Sequence, residues 1–205
     1  WNDLAGNWRI MEQYFKPQPV CRWAHPAIDA ALALKSTHGF TSGQICAVAV
    51  RTFHHATRLA HARPATTEEA QYSLMFPVAV ALKHGAVHFH ALHGDALHDP
   101  EVLRLSHLIQ AREQQEYTAR FPAERYAEVS IELSDGRCLD SGPTQALGSA
   151  DLPLGDAAIR AKFRNFAQAA CGEKTALAIE NEVDALESDA ATVARLLDLV
   201  LATHI

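Results

Sequence analysis

Apolar positions along this chain of 205 residues switch from helical spacing to alternation and back. Behind Pro26, Ile28, Ala31, Leu32 and Lys35 follow helical spacing, and Gly39 supplies a stop. Ile45 to Val50 is an unbroken apolar run that predicts a buried strand. Thr66 and Glu69 form a capping-box pattern that opens a helix running to about Lys83, with Ala70, Leu74, Val78 and Leu82 on one face. Pro77 inside that span predicts a kink, because its ring removes the hydrogen bond to Ser73.

Asp99-Pro100-Glu101 is a second helix start, and Val102, Leu105, Leu108 and Ile109 give its apolar stripe. From Val129 to Leu133 apolar and polar residues alternate, the pattern of a half-exposed strand. Ser134-Asp135-Gly136 turns the chain back into Arg137 to Asp140 as a hairpin. A loop is expected from Ser141 to Gly155. Three helical patterns follow, around Ile159 to Ala170, Ile179 to Leu186 and Val193 to Val200. Strands followed by a run of helices predict an α+β fold: an antiparallel sheet with helices over one face, then a helical tail.

Composition narrows the function classes. Hydrophobic residues make up 48% and charged residues 20%, enough for a substantial core. The formal net charge is −6 with no basic run, which argues against a nucleic-acid partner. No apolar stretch approaches the length of a membrane span, and no secretory signal is visible. Cys21, Cys46, Cys138 and Cys171 are widely spaced and read as reduced thiols of a cytoplasmic protein.

Candidate chemistry concentrates in Phe15 to Pro26. This segment holds Lys16, Cys21, Arg22 and His25 in a stretch stiffened by Pro17, Pro19 and Pro26. Two permanent cations and an imidazole aimed by a stiff loop suit a small polycarboxylate; a solvated linker is the plainer reading. Cys21 beside cations could be a nucleophile, but packing or a weak polar contact fits it as well. Tyr72 has a ligand-facing reading and a core reading. His84, His88, His90, His93 and His98 form a cluster that could attract zinc, although its spacing fits a solvated loop better.

Three segments in order carry a resemblance: Lys16-Pro17-Gln18-Pro19-Val20-Cys21-Arg22-Trp23-Ala24-His25, then Thr66-Thr67-Glu68-Glu69-Ala70-Gln71-Tyr72-Ser73, then Gly148 through Pro153 to Lys162-Phe163. Together they resemble the C-terminal half of the MmgE/PrpD family, over about Tyr14 to Phe166. That family includes 2-methylcitrate dehydratases, cis-aconitate decarboxylases and iminodisuccinate epimerases. Its loop reads roughly Lys-x-x-Pro-x-Cys-x-x-x-His. Ile159 stands where the family usually has Leu, and Gly155 where a Ser cap is common.

The resemblance implies a lid domain over residues 1–150. Residues 151–205 would then be helices that pack on an N-terminal helical domain or a second chain. The chain begins at Trp1, which fits part of a larger, homodimeric enzyme. No metal or organic cofactor is implied. The implied substrate is a citrate-like acid, deprotonated next to a carboxylate, with dehydration, decarboxylation or epimerisation as the outcome. His25 would assist catalysis, and Lys16, Arg22, Cys21 and Tyr72 would face the substrate. Two other classes stay open: a non-catalytic lid-type binding module, and a His-rich metal-binding protein.

Overall fold

A computed structural model describes residue 6 and residues 8–59, 61–188 and 192–202, which fall into two compact units, residues 1–153 and 154–205. In chain order the first unit contains α1 (His25–His38), β1 (Ile45–Thr52), α2 (His54–Thr57), α3 (Thr67–Gln71), α4 (Met75–His84), α5 (Pro100–Leu108), β2 (Ile109–Glu113), α6 (Gln115–Arg120), β3 (Tyr126–Leu133), β4 (Cys138–Asp140) and β5 (Thr144–Gln145). The second unit contains α7 (Asp156–Asp184) and α8 (Val193–Leu201). The α+β class read from the sequence is the class the chain adopts.

The sheet runs in the order β2-β1-β3-β4, with β5 also pairing β3. One row of side chains, Ile109, Val48, Ile131 and Leu139, crosses all four strands in register. All four are buried. They join Val50, Val129 and Leu133 on the face covered by α1, α4 and α5. The opposite face is polar. There Arg51 reaches Glu128 at 2.7 Å and Asp140 at 3.1 Å across three strands. Partial exposure of these groups keeps that network a modest stabiliser.

Three sequence expectations change. The sheet is mixed, because β2 runs parallel to β1 while every other pairing is antiparallel. Ile109 opens β2; as the last apolar residue of a helical stripe it gave no sign of a strand. Cys46 and Ala47 are exposed, so β1 buries only one face, and small side chains on the other face make the run look apolar throughout.

The helix expected from Thr66 to Lys83 is two helices, broken at Tyr72 to Leu74. Thr66 caps α3 as expected, its Oγ1 accepting the Glu69 N–H at 3.2 Å. Ser73 then starts α4 by accepting the Phe76 N–H at 3.0 Å. Pro77 therefore sits in the first turn of α4, where an N–H has no intrahelical acceptor, and no kink results. From Phe76 to Leu82 every residue of α4 is fully buried, which makes it the central element of the core.

In the second unit, α7 breaks at Gly172, whose φ of 79° lies outside helical space. The two halves fold back as a hairpin, with Arg160 bonded to Glu180 (3.0 Å) and Asp184 (2.7 Å) and Arg164 to Glu180 (2.7 Å). Arg164 first, then Arg160, hold the Glu180 carboxyl near a pKa of about 2. Thr192 caps α8 by accepting the Arg195 N–H. Among the described residues no helix is long and apolar enough to cross a membrane.

Candidate functional site

The Pro-rich segment is pinned at both ends. The Phe15 N–H donates to the Gly148 carbonyl at 2.8 Å, and the Cys21 N–H to the Gln71 carbonyl at 2.8 Å. Gly148 has φ +95°, and a Cβ there would meet the Phe15 carbonyl oxygen at 2.0 Å. Only glycine permits that approach. The Phe15 and Gly148 strands of chain, far apart in sequence, are thereby zipped together.

Their junction opens into a cleft of about 210 Å³, walled by Glu12, Tyr14, Arg22, Arg125, Gln145 and Ser149. Arg22 is 8% exposed and its guanidinium lies 3.6 Å from the centre of the Tyr14 ring. Arg125 comes from the turn before β3, and its guanidinium faces the Phe121 ring at 5.7 Å. The Nε atoms of both arginines are buried and lack a hydrogen-bond partner. Such orphaned charged donors cost stability unless a ligand satisfies them. Burial, and next the Arg125 charge, push the Arg22 guanidinium below its usual pKa, while Tyr14 and Asp151 oppose this.

The nearby acids already have partners. Glu12 pairs with Arg9 at 3.1 Å, and Asp151 accepts from Gln145 at 3.4 Å. Among the described residues, two guanidinium groups thus share one cleft without an acid between them, and guanidinium matches carboxylate geometry. At ~30 Å³ per water, the cleft has room for a carboxylate arm.

Of the five residues the sequence singled out, Arg22 is the one that lines this cleft. Lys16 is exposed in the pinned segment, two residues from Tyr14. His25 is wholly buried at the start of α1, with Nε2 3.3 Å from the Val20 carbonyl oxygen, a contact that shapes the loop from within. Cys21 is half-buried, and Tyr72 is 61% exposed just beyond Gln71, so both lie where the loop meets α3. Arg125, Tyr14, Gln145 and Ser149 escaped sequence reasoning, because nothing in their local pattern marks them; they meet only through the Gly148 approach.

The His84 to His98 cluster is a ring-packed segment. The His88 and His90 rings stack at 5.3 Å, and Phe89 stacks on His93 at 5.4 Å. Among the described residues no group of three or more His, Cys, Asp or Glu side chains is arranged to hold a metal ion. A second cavity, about 300 Å³, lies in the α7 hairpin between Ile159, Phe163 and Val183. Among the described residues of its wall, Arg160 is the one cation and is satisfied by Glu180 and Asp184, and the remaining charged group, Asp156, is an acid.

The family model of the MmgE/PrpD C-terminal domain matches residues 19–188. The chain belongs to the MmgE/PrpD family, whose members are dehydratases and related lyases. No curated protein matches it.

Proposed function

Starting from membership of the MmgE/PrpD family, we propose that this chain is the lid portion of a cofactor-independent lyase or isomerase acting on a citrate-like polycarboxylic acid. The observation that carries the reading is that Arg22 and Arg125 line one cleft, two guanidinium side chains whose Nε groups are buried without a hydrogen-bond partner. One substrate carboxylate sits between them, gripped by charge-assisted hydrogen bonds. Lys16, exposed on the same pinned segment, receives a second carboxylate at the mouth. His25 supports the loop from behind.

Fixed cations at a carboxylate do more than bind. When a base removes the neighbouring proton, charge moves onto that carboxylate as an enediolate, and preorganised cations stabilise it as it forms. The base belongs to the N-terminal helical domain or a second chain that this lid closes upon. Loss of hydroxide from the adjacent carbon then completes a dehydration, and return of the proton to the other face would branch from the same intermediate as epimerisation; a decarboxylation would reach an equivalent carbanion by losing carbon dioxide in place of the proton and would end by taking up a proton. Dehydration is the leading reading.

The test uses the longest natural polypeptide that carries this chain, with citrate, 2-methylcitrate and isocitrate as trial substrates. Formation of the unsaturated acid, followed by its ultraviolet absorbance, supports the proposal. A protein that binds none of these acids and turns over none of them removes it.

A further inference from the structure

We propose that Asp29 is a positioning residue for this cleft: its carboxylate latches the Gln145–Ser149 wall through the Leu147 amide, so the cleft holds an anion tightly only while Asp29 is ionised. The inference rests on the reading of the cleft as the seat of a substrate carboxylate.

Asp29 lies on α1, one helical turn beyond His25 and two beyond Arg22, so the three share one side of the helical run. Its Oδ2 accepts the Leu147 N–H at 3.3 Å. Leu147 sits at the middle of the wall that meets both arginines. On one side the Ala146 N–H donates to the Arg125 carbonyl at 3.1 Å. On the other, Gly148 is bound to Phe15, the neighbour of the Tyr14 ring that packs on Arg22. Releasing Leu147 therefore loosens the supports of Arg22 and Arg125 together.

The coupling is mechanical. The charges that act most on Arg22 are those of Arg125, Tyr14 and Asp151. On the elements packed against α1, Lys83 of α4 pairs with Asp99, Glu128 of β3 with Arg51 and Tyr117, His84 of α4 lies beside Lys83, and Glu132 of β3 is exposed on the sheet face away from α1. β5 carries none. What acts on the Asp29 carboxylate is burial, which raises its pKa to about 6, and the Leu147 amide, which opposes that rise. An ionised acceptor holds an N–H more strongly than a neutral one. Protonation near pH 6 weakens the latch.

The probe is 1,3-propanedisulfonate, which stays fully ionised over the range and so reports only the protein's titration. Calorimetric titrations at pH 5, 6 and 7.5 compare the wild type with Asp29→Asn and Asp29→Ala. The wild type is expected to bind about fivefold more weakly at pH 5 than at pH 7.5, with a midpoint near 6, the difference between a charged and a neutral hydrogen bond. Asp29→Asn is expected to bind with one affinity at all three pH values, as is Asp29→Ala. A flat wild-type profile, or a variant that keeps the wild-type pH dependence, overturns the role of Asp29 while leaving the cleft as an anion site. Failure of the wild type to bind at any pH overturns the cleft reading, and the latch with it.

Discussion

Gly148→Ala sets a Cβ against a carbonyl oxygen that cannot rotate away. The added atom would stand 2.0 Å from the Phe15 backbone oxygen, so the segment carrying Phe15 must move. That movement breaks the 2.8 Å bond from the Phe15 N–H to the Gly148 carbonyl, a loss of about 1 kcal/mol. A left-handed alanine adds about 1–2 kcal/mol more. The sum is about 2–3 kcal/mol before any remaining clash. Gly39→Ala is the matched control: φ is +63° and nothing lies within 4 Å, so only the conformational cost of about 1–2 kcal/mol applies. Urea unfolding of both variants, compared through midpoints at unchanged slope, measures the difference. Anion affinity should collapse in Gly148→Ala and survive in Gly39→Ala. Equal destabilisation of the two, within about 0.5 kcal/mol, would refute the close approach that assembles the cleft.

Asp29→Asn should stabilise the fold at neutral pH even as it weakens the latch. A carboxyl raised to about 6 takes up a proton more readily when folded than unfolded, so native stability falls as pH rises from about 4 to 6 and the penalty is complete above that. At about 1.4 kcal/mol per pKa unit the ionised group costs about 3 kcal/mol, trimmed to about 2 by its residual exposure. Denaturant melts at pH 7.5 should show that gain and melts at pH 4 should show little of it; a variant less stable than wild type at pH 7.5 contradicts the assignment. Lys16→Ala should lower kcat/KM by about tenfold with Tm unchanged, since its side chain is exposed. His25→Ala removes a wholly buried ring and should cost about 2–3 kcal/mol of stability, read from urea midpoints. Exhaustive chelation should leave Tm unmoved, and a drop of several degrees would show that the His84 to His98 segment holds a structural ion.

The sequence announces elements wherever the signal is local. Asp99 caps α5 by accepting from the Glu101 and Val102 N–H groups, and alternation at Val129, Ile131 and Leu133 marks β3. Signals fail where tertiary context decides. Ile109 continues a helical stripe yet pairs with Val48 as a parallel strand, a long-range choice with no local trace. Thr144 and Gln145 are two residues of strand inside what reads as a loop. At the candidate site, Arg22 is legible because it sits in the Pro-stiffened segment. Arg125 is not, because it joins Arg22 only when the chain around Gly148 closes on Phe15. His25 illustrates the converse: its position suggests chemistry, and the fold encloses it completely.

Direct binding of citrate to the cleft bears hardest on the central claim. Calorimetric titration of the wild type and of Arg125→Gln, with Tm recorded for both, separates binding from folding. Loss of a charge-assisted hydrogen bond worth about 1.5–3 kcal/mol predicts at least tenfold weaker citrate binding by Arg125→Gln with Tm preserved. Equal affinities for the two proteins would mean that the paired arginines do not receive the substrate carboxylate.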